Sequence, residues 1–265
     1  SVALWLWYRG DRFRGYQSQP RGPTVQDALE SALAQLSVQG RPLPSGRTDL
    51  GVHARMQVVR VRIPEVRTLT EVVDGLRARL PEGLGVALAK KSAPRFHPQW
   101  DSAGKVYRYR IFLPPSPQAA APPFFWRVPW DVEPERLEEV LAQCRGTRDF
   151  IAFHEKSSAR KLRTVSEASL AALGEGRFEV RWAGDGFGRY QVRYLTGSAV
   201  ATAAGELAQE DFARALDDAQ PMAGVKAPAE GLILWEVFYP PALDPFTAIE
   251  RQAALGVPQG LPWAV

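Results

Sequence analysis

The sequence predicts an α+β fold in two subdomains, and three observations lead there. Short apolar runs of alternating pattern recur along the whole chain, as strands of half-buried sheets do. Amphipathic stretches with apolar residues three and four apart fall between them without the strict strand-helix alternation of a parallel sheet. A segment rich in Pro and Ala, "LPPSPQAAAPPFF", then separates two halves that mix strands and helices in the same rough order. The expected layout is an N-terminal subdomain over residues 1–113, a linker over 114–125, a C-terminal subdomain over 126–245 and a tail over 246–265.

The elements follow in order. Ala3, Trp5 and Trp7 alternate with Leu4, Leu6 and Tyr8, so the opening run reads as a strand buried on both faces. Thr24, with Asp27 three residues on, resembles a capping box, and Val25, Leu29, Ala32 and Leu36 give a helix over 24–37. Val59, Val61 and Ile63 alternate with Arg60 and Arg62 in a strand expected to turn its basic side outward. A helix over 70–80 closed by Pro81 and a short strand over 86–90 come next. In the strand from Val106 to Leu113, Tyr107 and Tyr109 share a face. Past the linker, Pro134 opens a helix that runs to about Cys144. The runs Ser166–Ala172 and Arg177–Ala183 form a hairpin, and residues 189–204 a helix carrying Arg189 and Arg193 four apart. A helix over 209–219 and a strand over Leu232–Tyr239 complete the pattern, and the tail after Pro240 has little periodicity.

Composition narrows the function classes. With 45% apolar and 23% charged residues the chain reads as an ordinary globular protein. No apolar run approaches the roughly 18 residues that cross a bilayer. The first residues read as a strand and not as a secretory signal, so the expected location is the cytoplasm. One cysteine, Cys144, excludes an intrachain disulfide, and three scattered histidines have no metal-ligand spacing; no metal is expected. Of 33 basic side chains only six are lysine. The planar fork of arginine binds phosphate bidentately and stacks on bases, which suits a nucleic-acid partner.

The chemistry points to "SGRTDLGVHA", residues 45–54. A turn bounded by glycines can bring a carboxylate close to a ligand, and Arg47 beside Asp49 favours its ionised form. An ionised aspartate is a nucleophile towards an electrophilic carbon. Taken alone, "RTD" is equally an Asx turn or a helix cap with a surface ion pair. The wider pattern is more specific. "GRTDLGVHA" before "QVVRVRI" resembles the signature of the tRNA pseudouridine synthase I (TruA) family. The resemblance continues in "YRGDRFRGYQSQPRGPTVQDALESAL", "RFHPQWDSAGKVYRYRI", "FGRYQVRYLTGSAV" and "APAEGLILWEVFYP", in the family's order across residues 8–240.

The resemblance implies the pseudouridine synthase fold: two subdomains, each a mainly antiparallel sheet with helices packed on one face, around a basic central cleft. It also implies an isomerase that converts uridine to pseudouridine at positions 38–40 in the anticodon stem-loop of tRNA, working as a homodimer without cofactor. By the same resemblance Asp49 is the nucleophile, towards ribose or base, and Arg47 fills the space left by the flipped nucleotide. Tyr107 stacks on the flipped uracil, and Arg193 keeps Asp49 ionised. Arg60, Arg62, Lys161 and Arg163 are expected to contact phosphates. His53 and Gly51 are expected to support the turn, since a carboxylate nucleophile needs no base to activate it. The sequence departs from the family pattern at Tyr16, at the "PQWD" of 98–101, and at Arg189–Tyr190, where a Tyr-His pair is usual. The competing reading is a tRNA-binding protein or chaperone that kept the fold without the chemistry; a hydrolase releasing uracil is a third.

Overall fold

The structure, a computed structural model, describes residues 1–114, 118–155, 162–253 and 261. In chain order its strands and α-helices are β1 (Val2–Tyr8), α1 (Val25–Gln35), β2 (Leu43–Pro44), β3 (His53–Val61), α2 (Leu69–Arg77), β4 (Leu84–Lys91), β5 (Gly104–Phe112), β6 (Trp126–Arg127), α3 (Pro134–Gln143), β7 (Gly146–Asp149), β8 (Leu162–Gly174), β9 (Arg177–Gly184), α4 (Gln191–Ala203), α5 (Gln209–Asp217), β10 (Leu232–Phe238) and α6 (Ala248–Ala253). The chain divides into two compact units, residues 1–103 with 233–265, and residues 104–232. The expected boundary at 113/114 lies one strand later than this division, because β5 is paired along its whole length with β9. The chain also returns to the first unit at its end, where Ile233 and Leu234 pair in parallel with His53 and Ala54.

In the first unit β1 lies between β3 and β4, antiparallel to both. Its sequence VALWLWY offers no polar face, and six of its seven residues are buried. The strand expected over 59–63 instead begins at His53, inside the motif, and every residue except Arg60 is buried. Its polar side chains therefore need internal partners. Arg55 donates from Nη1 to the Trp235 carbonyl, and its guanidinium lies 4.7 Å from the Trp235 ring centre and 5.6 Å from that of Trp5. Thr24 caps α1 by accepting from the Asp27 N–H, and Thr68 with Glu71 forms a full capping box on α2.

The tail after Pro240 is ordered through Asp244–Ala253, against its weak periodicity. Arg251 on α6 reaches the carboxylates of Asp244 and Glu236 and the Val237 carbonyl. Glu250 pairs with Lys90, and Phe246 meets Trp5 edge-on at 5.8 Å. A helix of six residues is too short to show a period, and it persists through these contacts.

In the second unit β5, β9, β8 and β7 run antiparallel in that order, and β6 joins β5 in parallel. Glu179 on β9 stands opposite Arg110 on β5 and binds both Arg110 and Arg108, so the buried charge is paired. Helix α4 is buried over nearly its whole length, which its small residues in "TGSAVATA" allow. It begins at Gln191, not at 189. Tyr190 before it is left-handed at φ +62°, so Arg189 sits outside the helix and not four residues along its face from Arg193.

Candidate active site

Asp49 lies in the turn that leads into β3, half-buried between buried Thr48 and exposed Leu50. Three sets of contacts hold this turn. From below, Gln57 on β3 accepts from the Ser45 hydroxyl at 2.6 Å and donates to the Gly46 carbonyl at 2.8 Å. From β1, the Tyr8 hydroxyl meets Thr48 Oγ1 at 2.7 Å, and Gln57 Nε2 donates to the same hydroxyl at 3.3 Å. From the loop after β1, Tyr16 N–H donates to the Thr48 carbonyl at 3.0 Å. The Gly10 N–H donates to His53 Nδ1 at 2.9 Å.

The loop and the turn touch backbone to backbone. A Cβ on Gly10 would lie 2.3 Å from the Val52 carbonyl oxygen, closer than any side chain can come. Gly51 takes φ +84°, and the Val52 N–H closes the turn on the Asp49 carbonyl at 3.1 Å. These contacts explain physically why the stretch at 8–16 and the stretch at 45–54 occur together. Tyr8, Gly10, Thr48 and Gln57 are the parts that sequence reasoning left without a role. Gln57 sits between apolar neighbours in a strand, and a polar side chain in that setting signals an internal partner.

Burial pushes the Tyr8 phenol up to about 12, and the Asp49 carboxylate adds to the rise. Tyr8 is therefore a neutral hydroxyl at any working pH, able to donate. His53 is fully buried, and its Nδ1 is occupied as an acceptor from Gly10. A proton on neutral His53 must then reside on Nε2. Arg47 is exposed beside the turn. Arg60 is half-buried, with Nη1 donating to the Phe96 carbonyl at 2.5 Å, and Arg62 is exposed past the end of β3.

Tyr107 and Arg193 belong to the second unit. Tyr107 is half-buried on β5, opposite Trp182, with its ring perpendicular to Phe187 at 5.3 Å. Its neighbour Tyr109 is fully buried, and its hydroxyl donates to the Pro228 carbonyl at 2.5 Å. Arg193, in the first turn of α4, donates from Nε to the Ala227 carbonyl at 2.7 Å. Segment 225–227 lies so close to α4 that a Cβ on Gly197 would fall 2.2 Å from the Val225 carbonyl oxygen. Around the Tyr190 ring stand three cations, Lys226 at 4.4 Å, Arg189 at 4.7 Å and Arg193 at 5.4 Å from its centre. Glu155 pairs with Lys226 at 3.1 Å. Arg163 is buried on β8 rather than displayed to solvent. Burial pulls the Lys105 ammonium down to about 8, with the charge of Arg163 adding to the effect. Lys161 lies outside the described residues.

These features place the chain in the class of α+β proteins that carry a half-buried carboxylate on a braced turn in one unit and a half-buried tyrosine with a basic helix start in the other. Comparison with known proteins narrows that class. The profile described as tRNA pseudouridine synthase matches residues 140–240. Proteins named tRNA pseudouridine synthase A are similar over almost their whole length. That of Geobacter sp. (strain M21) is 34% identical over 91% of this chain and 99% of its own. That of Thermus thermophilus is 36% identical over 88% and 94%. The chain belongs to the tRNA pseudouridine synthase family. A solved pseudouridylate synthase superposes at a TM-score of 0.37 and 14% identity, over 95% of this chain and 74% of its own; the assignment rests on the sequence relatives and not on that likeness.

Proposed function

We propose that this chain is an isomerase that converts uridine to pseudouridine in tRNA, at positions 38–40 of the anticodon stem-loop, with Asp49 as nucleophile. The observation that carries the reading is the Asp49 turn, a carboxylate on backbone clasped by Gly10, Tyr8 and Gln57, in a chain whose full-length relatives are named for this activity. Such a clasp holds a nucleophile in position without cost at the moment of reaction.

In the reaction the Asp49 carboxylate adds to an electrophilic carbon of the target nucleotide, and the bond between uracil N1 and ribose C1′ breaks. The uracil turns, C5 bonds to C1′, the bond to Asp49 breaks and returns its electron pair to the carboxylate, the C5 proton is lost and N1 gains one. Product and substrate contain the same atoms, so no oxidant, reductant or group donor is consumed. The target must leave its stack first, at a cost of a few kcal/mol. Arg47 offsets that by occupying the vacated space, Tyr107 by stacking on the extruded uracil, and Arg193 serves the anionic centre of the reaction. Arg60, Arg62, Lys161 and Arg163 serve the RNA backbone, with the burial of Arg163 limiting its reach. His53 and Gly51 shape the turn. The working form is a cytoplasmic homodimer.

The test is carbodiimide primer extension on tRNA incubated with the purified protein. Wild type is expected to give stops at positions 38–40, and Asp49→Ala to give none while tRNA still binds. Conversion by Asp49→Ala would overturn the mechanism, and free uracil among the products would show a hydrolase instead.

A further inference from the structure

Trp100 is 79% exposed, in a protein that otherwise buries most of its large aromatic rings. It nonetheless packs against a second ring. Its ring stacks on His97 at 3.9 Å with 8° between the planes. His97 is itself fixed from three sides. Its Nδ1 faces the N–H groups of Gln99 and Trp100 at 3.3 and 3.2 Å, and its own backbone N–H donates to the Asp101 carboxylate at 2.8 Å. The outcome is an aromatic shelf with one face packed and the other turned to water. A single exposed apolar residue is ordinary; what sets Trp100 apart is that its ring is stacked in parallel on a second ring.

The surroundings say what chemistry the shelf faces. Arg60 donates to the carbonyl of Phe96, the residue before His97. Desolvation and the charge of Arg60 push the His97 imidazole down, against the opposing carboxylate of Asp101. Arg60 also lines, with Arg41 and Arg62, a recess of about 250 Å³ beside Leu43. Three arginines among the residues lining one small recess, with no carboxylate among them, give it the charge that suits a phosphate. An aromatic face coupled through Arg60 to an arginine recess is the combination that holds an unpaired nucleotide: base on the ring, phosphate in the fork.

We propose that Trp100, stacked on His97, and the recess of Arg41, Arg60 and Arg62 form an RNA-contact site in the first unit, separate from the Asp49 turn, which binds an unpaired nucleotide of the RNA substrate other than the one that reacts. The proposal builds on the reading of the chain as a tRNA-modifying enzyme. The base is held by its face, so the site is indifferent to base identity and contributes affinity and register rather than sequence choice.

The experiment measures binding and turnover of a tRNA transcript by the full chain as wild type, Trp100→Ala, Trp100→Phe and the pair Arg41→Ala/Arg62→Ala. Trp100→Ala is expected to weaken binding about tenfold and to raise KM by a similar factor with kcat unchanged, the scale of one lost base-aromatic stack. Trp100→Phe keeps a ring and should recover most of the loss. The arginine pair should lower the slope of log affinity against log salt by about 2, one for each phosphate contact removed, while Trp100→Ala leaves that slope alone. Wild-type binding and KM in Trp100→Ala would overturn the proposal. So would a change in oligomeric state on sedimentation, which would make the shelf an interface between copies. If wild type binds tRNA through Trp100 yet forms no pseudouridine, the functional reading fails and the shelf stands. If it forms pseudouridine and Trp100 is silent, the shelf alone fails.

Discussion

The Asp49 turn and the start of α4 hold their functional side chains in opposite ways. The turn is fixed by neutral hydrogen bonds from Tyr8, Gln57 and Tyr16 and by backbone pressed on Gly10. Arg193 is tied to Ala227 through its Nε and its backbone carbonyl, in the company of two other cations gathered on the Tyr190 ring. The first arrangement is complete without a ligand. The second gathers three cations on one ring, with Lys226 paired to Glu155. The difference teaches that the fold alone braces the Asp49 turn, whereas the start of α4 concentrates positive charge on one aromatic ring.

Five substitutions, with four kinds of effect, would break or sharpen this contrast. Asp49→Asn keeps the shape of the turn and removes the charge; conversion should fall on the order of 10⁴-fold, the scale of losing a covalent nucleophile, with tRNA affinity little altered. Gly10→Ala and Gly197→Ala come next, each forcing a methyl against a carbonyl oxygen. Each should cost about 1–3 kcal/mol in urea unfolding. The first should lower kcat by moving Asp49, and the second should lower it by moving Arg193. A Gly10→Ala protein with unchanged stability and kcat would mean that the clasp yields without consequence.

The third effect is a pH dependence. Tyr8 titrates near 12 in the folded chain and near 10 when unfolded. The raised value means that its contribution is whole below pH 10 and is lost as pH climbs towards 12, by about 2–3 kcal/mol over that window. Buried Tyr16 and Tyr109 are raised as well and act in the same direction. Tyr8→Phe should therefore flatten, without abolishing, the fall in stability above pH 10 followed by denaturant titration. The smallest effect is that of Tyr190→Gly. It relieves a left-handed tyrosine at about 1 kcal/mol while losing cation–π contacts of similar size, so stability should change by less than about 1 kcal/mol. Its mark should appear instead in tRNA binding, because the three cations lose the ring that gathers them.

Much of the local structure was legible before any coordinates. The capped start at Thr24, Pro134 at the head of α3, and the hairpin of β8 and β9 all rest on neighbours within a few residues. What failed rested on tertiary contacts or on a backbone turn that side-chain periodicity does not report. Arg60 looked like the outward side of a strand, and is half-buried because it bonds the Phe96 carbonyl. Arg189 looked helical, and lies outside α4 because Tyr190 turns left-handed before it. The tail looked aperiodic, and folds because Arg251 finds Asp244 and Glu236.

The sequence by itself determined the α+β class, most of the helices and strands, the family and the aspartate to examine, since short-range periodicity and linear motifs survive in one dimension. Only the tertiary structure decided that Gly10 presses on the Asp49 turn, that Gln57 and Tyr8 hold it, and that β5 and the chain end fall on the sides of the division where they do. Those facts depend on residues some 40 or more positions apart meeting in space, and the energy of such contacts leaves no mark in local sequence pattern.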